Sequence, residues 1–256
     1  MTRKQTKEGA VHGQSNLTRK TAIVLVKMMW VALLVTACVP VRLDKIDTFY
    51  TPLPESSRQL DIPKYGNDHR LSGYPYVYWH FSKQKQQQLG LVSPETSTDS
   101  LVFRLWITNP SGRVGQPHAL VELRKDSLAW HGTLVLMRVD FRTKNLTETI
   151  TRSNTINLEP LVTNWKTVAD SLMFFKIDSL PTDDLIPDYY ANHPGYVSNS
   201  VTFSFEYATK EIYRFYQYND IYRVPETFWQ PNNVIGILDL LEREFQWDAQ
   251  ARSYFK

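Results

Sequence analysis

The chain has one cysteine, Cys38, among 256 residues, so no disulfide can close within it. It has no GxSxG elbow, HExxH pair, phosphate-binding GxxxxGK[ST] loop or GxGxxG turn. Those absences remove the motif-based routes to serine hydrolases, zinc peptidases and nucleotide enzymes. Closely spaced histidines are missing too. After Cys38 they are His69, His80, His118, His131 and His193, none four residues from another, whereas zinc sites usually take at least two ligands from one element. Nor is there a basic surface. Of 29 Lys and Arg, six precede Cys38, and of 26 Asp and Glu only Glu8 does, which leaves 23 basic and 25 acidic side chains, a net of −2. The positive total belongs to the leader, and no basic stripe follows it, so a nucleic-acid partner is not expected.

What is present is a sorting signal. Arg3, Lys4, Lys7, Arg19, Lys20 and Lys27 lie before or within an apolar run over residues 21–37, and Val35-Thr36-Ala37 stand directly before Cys38. Lys27 interrupts the run, leaving a working apolar segment over residues 28–37. That suits the about 7 to 15 residues of a signal peptide and falls short of the about 20 of a spanning helix. A lysine within the span would also cost a transmembrane helix about 2.5 to 3.5 kcal/mol. On these residues the first 38 positions resemble the signal of a bacterial lipoprotein, with Val35-Thr36-Ala37-Cys38 as its lipobox. The resemblance implies a cleaved signal peptide over 1–37 and a thioether from Cys38 to lipid. It places the chain in the cell envelope, held at a membrane by that lipid, with inner and outer leaflet both open. It also removes the thiol, and with it thiol catalysis and thiolate metal sites.

Composition beyond the signal is that of a folded domain. Apolar types make up 42 % of the chain and aromatics 13 %, too rich for disorder. Residues 38–72, with Pro40, Pro52, Pro54 and Pro63 among polar side chains, read as the lipidated N-terminus and an extended tether. A single α+β domain is expected over 73–256.

Its strands are expected at 74–81, 101–108, 118–124, 133–141 and, more weakly, 146–151, from bulky residues in alternation. In the second of these Leu101, Phe103, Leu105 and Ile107 share a face, and Asn109-Pro110-Ser111-Gly112 turns the chain after it. Residues 83–88, KQKQQQ, read as a solvated turn. Leu161, Trp165, Val168, Leu172 and Phe175 step at helical spacing after Pro160. A hairpin follows, with Val201, Phe203, Phe205 and Tyr207 on one face. A three-residue loop, 209–211, would set Tyr207 opposite Tyr213, Phe205 opposite Phe215 and Glu206 opposite Arg214. Residues 203–218, FSFEYATKEIYRFYQY, resemble hairpins in exported bacterial proteins of unassigned function, which implies a fold and nothing more. A last helix over 233–246 carries Val234, Ile237, Leu238, Leu241 and Phe245 behind Asn232 and Asn233 as capping types. The expected architecture is an antiparallel β-sheet packed by two α-helices.

Candidate chemistry is sparse. Ser82 and Lys85 match SxxK, but no SDN or KTG partner exists. Asp183, Asp184 and Asp188 crowd one loop without EF-hand spacing. No catalytic residue, metal site or cofactor is assigned. The ligand-binding candidates are aromatic: Tyr74, Tyr76 and Tyr78 on one strand face, with Tyr189 and Tyr190 in the long loop, as rings for sugars or a partner protein. The expected function is a non-catalytic binding or structural domain with an envelope protein or polysaccharide as partner. A glycan-binding accessory module and a hydrolase with a dispersed carboxylate or histidine site are the alternatives.

Overall fold

A computed structural model describes residues 57–62, 73–108, 116–142, 147–189, 201–219, 221–224 and 226–255. The leader, Cys38, the turn at 109–112 and Tyr190 lie outside the described residues. In chain order the elements are β1 (Gln59–Asp61), α1 (Gly73–Gln88), β2 (Leu101–Thr108), β3 (Gln116–Lys125), β4 (Trp130–Arg142), β5 (Thr147–Leu158), α2 (Trp165–Phe174), β6 (Thr202–Thr209), β7 (Ile212–Asn219), α3 (Trp229–Phe245) and α4 (Trp247–Phe255). The strands form one sheet in the order β1-β7-β6-β2-β3-β4-β5, antiparallel except for β1 against β7. This is an α+β fold, with four helices among the described residues rather than two. None of them is long and apolar enough to cross a membrane.

Alternation sorts the strand residues onto two faces. Phe103, Leu105, Val121, Leu123, Leu134, Leu136, Phe203, Phe205 and Tyr216 share a buried cluster with Val168 and Leu172 of α2, Val234, Ile237 and Leu241 of α3, and Ala251 of α4. The opposite face holds Val102, Ala208, Tyr213 and Phe215 against Tyr76 and Trp79 of α1, and Trp106, Leu120, Val135, Met137 and Val139 in a third cluster. Strands of the central sheet are therefore buried on both sides, which their long runs of β-branched and aromatic residues suit.

The largest departure from expectation is α1. The residue pattern predicts a strand over 74–81 and a solvated turn over 83–88; both belong to one helix. Its buried positions include Tyr76, Trp79, Phe81, Ser82, Lys85 and Gln86, spaced by helical steps, so half of the inward stripe is polar. Hydrophobic alternation in YPYVYWHF competes with that stripe and loses, because the lysines and glutamines find partners on the sheet. Pro75 falls in the first turn, where a missing N–H costs nothing.

Other boundaries moved for local reasons. α2 begins at Trp165 because the Asn164 side chain accepts a hydrogen bond from Thr167 N, 3.0 Å, and caps it. Leu161 is not helical; its N–H donates to the Glu244 carbonyl, and the Glu244 carboxylate accepts from Val162 N and Thr163 N. Gly132 admits the Trp165 ring, for a Cβ there would stand 2.6 Å from Cη2. β5 runs to Leu158, well past the expected 151. Asn232 and Asn233 lie inside α3, whose end at Gln246 turns left-handed (φ 50°) into α4.

Two corrections concern the sheet. The hairpin loop has two residues, Lys210 and Glu211, so Tyr207 pairs with Arg214, Phe205 with Tyr216 and Glu206 with Phe215. A one-residue slip changes the face of the returning strand: Tyr216 and Tyr218, not Tyr213 and Phe215, join Phe205 on the multi-helix side. The second is β1. Gln59–Asp61, expected to be tether, pairs with β7, and Arg214 Nε meets Asp61 Oδ2 at 2.7 Å. Arg58 donates to the Pro94 and Ser97 carbonyls. The segment 38–72 is therefore not tether throughout.

Candidate functional site

Cross-strand partners on the α1 face line up in rungs. One runs Asn219, Thr202, Thr108, His118, Met137; the next Gln217, Ser204, Trp106, Leu120, Val135; the third Phe215, Glu206, Arg104, Glu122, Thr133. The third rung places a carboxylate, a guanidinium and a second carboxylate side by side, and α1 lowers Lys83, Lys85 and Gln86 onto this region.

Glu206 is the centre. It has no exposed surface, and its carboxylate accepts from Lys83 Nζ at 2.9 Å, Trp106 Nε1 at 2.8 Å and the Tyr213 hydroxyl at 2.8 Å. Tyr213 in turn accepts from Trp79 Nε1 at 3.2 Å. Arg104 Nε reaches Glu122 at 2.5 Å, Nη1 donates to Gln86 Oε1 at 3.0 Å, and Nη2 to the Val92 carbonyl at 2.7 Å. Lys83 also meets Glu95 at 2.5 Å, Arg124 bridges Glu122 and Asp99, and Lys85 meets Glu148 at 3.1 Å. The loop between α1 and β2 is thus strapped over the network through Val92 and Glu95.

The electrostatics follow from this packing. Burial alone would raise the Glu206 carboxyl; the Lys83 and Arg104 charges, with the hydrogen bonds from Trp106 and Lys83, outweigh it and hold the group at about 2. Burial, then the charges of Glu206 and Glu95, push the Tyr213 phenol well above its usual value, so it remains the donor. Burial, then Lys85, lowers His118 well below the ordinary imidazole value, and its Nδ1 has no hydrogen-bond partner among the described residues. The ionised Glu206 carboxylate and the Tyr213 hydroxyl thus act as a fixed acceptor and a fixed donor that hold α1 against the sheet.

A pH dependence follows. The Glu206 value falls from 4.5 to about 2 on folding, so its contribution is complete above 4.5 and is lost as pH drops toward 2. His118, lowered on folding, begins to subtract stability below its unfolded value of 6.5. Urea titrations at stepped pH should show a decline across 4.5 to 2 that is shallower in Glu206→Gln than in the parent. Parallel profiles would contradict the assignment.

The expected site residues are dispersed. Tyr76 is buried with its ring 5.6 Å from Trp79, and Tyr78 is half-buried, its hydroxyl 3.3 Å from Thr202 Oγ1. Tyr74 lies in the first turn of α1. Tyr189 is 1 % exposed in the cluster on the other side of the sheet, donating to the Asn219 carbonyl and lying edge-on to Phe228. Tyr76 and Tyr189 therefore share no exposed row. Ser82 Oγ donates to the Trp79 carbonyl at 2.7 Å while Lys85 is held by Glu148, so SxxK here is helix packing. Asp183 is buried and accepts from Asn219 N and Nδ2. No group of three or more metal-ligating side chains is gathered among the described residues.

The opposite side of the molecule offers a groove of about 440 Å³ between α2 and α3, lined by Ser171, Phe174, Phe175, Gly236, Asp239 and Arg243. A Cβ on Gly236 would stand 2.3 Å from the Phe175 ring, so glycine sets how closely the two helices approach. Phe174 is 78 % exposed at its rim. The antiparallel docking of α2 and α3 creates this groove, and no local motif announces it. Comparison with protein-family models, curated proteins and solved structures found no match.

Proposed function

We propose that this chain is a bacterial envelope lipoprotein, anchored through lipid on Cys38, whose domain is a non-catalytic binding or structural module. The lipobox-like Val35-Thr36-Ala37-Cys38 behind an interrupted apolar run is the observation that carries the anchoring. The non-catalytic reading is supported by how the charged side chains are used. Lys83, Lys85, Arg104 and Arg124 are matched to Glu95, Asp99, Glu122, Glu148 and Glu206, under one helix and one strap. The α2–α3 groove, with an exposed phenylalanine at its rim and Asp239 and Arg243 along its wall, is the surface suited to a protein or polymer partner.

Metabolic labelling with an alkyne-bearing fatty acid tests the anchor. The parent chain should take up label and fractionate with membranes, whereas Cys38→Ala should lose all label and accumulate as precursor or released protein. Label retained on Cys38→Ala would overturn the reading.

A further inference from the structure

β5 forms one edge of the sheet, and its two halves are finished differently. On the first half α1 takes the place of a neighbouring strand: Gln84 Oε1 accepts from Glu148 N at 3.0 Å, Gln88 Oε1 accepts from Ile150 N at 2.8 Å, and Gln88 Nε2 donates to the Glu148 carbonyl at 2.8 Å. Then the strand bulges. Val139 pairs with Ile150 and Arg138 with Arg152, so Thr151 is an extra residue. The bulge inverts the alternation, and Ile156 and Leu158 pack on the multi-helix side while Ile150 packs on the α1 side.

In a strand, the face a side chain takes is coupled to the direction of its N–H. Glu148 and Ile150 have outward amides, and after the bulge the same orientation falls to Ser153, Thr155 and Asn157. α1 ends at Gln88 and supplies nothing to them; no hydrogen bond to these three amides from outside the sheet is found among the described residues. The side chains of residues 151–155 and of Asn157 are exposed. Natural edges are normally blunted by charge or proline. Residues 149–158 contain no proline and one charge, Arg152, whose guanidinium lies 5.2 Å from the Tyr254 ring on α4.

We infer that this half of β5 is an interface between two copies of the chain, pairing antiparallel with itself about a two-fold axis at Thr155. That register sets Thr155 against Thr155 and Ser153 against Asn157, so the outward amides and carbonyls meet as hydrogen-bonded pairs that exchange both bonds. Arg152 falls opposite Leu158, and no like charges face each other. The self-complementary, nearly neutral sequence favours a second copy over an unrelated strand. Two-fold closure joins two sheets and leaves no free edge between them to propagate.

The full chain in mild detergent should sediment as a dimer, and Thr155→Pro should sediment as a monomer. The variant should still fold and melt cooperatively, because the Thr155 N–H takes no part in the ladder with β4, and its midpoint should lose the dependence on protein concentration that a dimer shows. Thr155→Cys in a Cys38→Ala background supplies an independent measurement. A hydrogen-bonded antiparallel pair holds its Cα atoms about 5.5 Å apart, within disulfide range, so copper-catalysed oxidation should yield a covalent dimer. Leu128→Cys, 93 % exposed before β4, should not. A parent chain that stays monomeric overturns the inference. So does a dimer that survives Thr155→Pro without a cross-link at 155, and so does a Thr155→Pro chain that loses a co-purifying protein while its own mass is unchanged.

Discussion

Glu206→Ala should destabilise the domain by about 3 to 5 kcal/mol, because removing one member of a buried ionic cluster strands the others. Lys83 and Arg104 would each lose one of two counter-charges under α1, keeping only Glu95 and Glu122, and the Trp106 N–H and Tyr213 hydroxyl would lose their acceptor. Direct attraction is the smaller part of this effect; the desolvation of the abandoned partners is the larger. Lys83→Met combined with Glu206→Ala should therefore cost less than the sum of the two single changes, and a double-mutant cycle in urea reads that difference. A loss under about 1 kcal/mol for Glu206→Ala would mean that water reaches the site and that the strap over it is not closed.

Trp79→Ala should cost about 3 to 5 kcal/mol, the range for deleting a large buried aromatic. Trp79 has no exposed surface, packs with Tyr76, Val102, Tyr213 and Phe215, and donates to the Tyr213 hydroxyl that in turn serves Glu206. Tyr78→Ala, at a half-buried position, should cost distinctly less. The contrast separates core from display: rings presented for a ligand would lose affinity with little change in the denaturation midpoint. Near-equal, small losses at 78 and 79 would restore the aromatic-platform reading. Both experiments can follow tryptophan fluorescence, with the parent's unfolding baseline as reference.

The polar cluster was legible in its parts and illegible as a unit. Alternation already placed Val201, Phe203, Phe205 and Tyr207 on one face of the hairpin and Leu101, Phe103, Leu105 and Ile107 on one face of β2, and both sets hold. Nothing local marks Lys83 as the partner of Glu206, 123 positions away. Without that pairing, Lys83, Lys85 and Gln86 read as solvent-facing residues, and the aromatic alternation before them reads as a strand. The tyrosine row dissolves for the same reason, since helical geometry turns residues two apart away from each other. Gln84 and Gln88 read locally as part of a solvated turn, yet they complete the backbone hydrogen bonding of the first half of β5.

By itself the sequence determined the sorting signal's resemblance, the central strands β2, β3 and β4, the existence of the β6–β7 hairpin, and the apolar stripes of α2 and α3. Each rests on a period or an order of residues that short-range stereochemistry imposes. Only the tertiary structure decided that residues 73–88 are helical, that the hairpin closes through two residues rather than three, that Gln59–Asp61 joins the sheet, and that α4 follows α3. Those outcomes turn on buried charges and edge amides finding partners far along the chain, and the free energy of such a pairing is absent until both partners are in place.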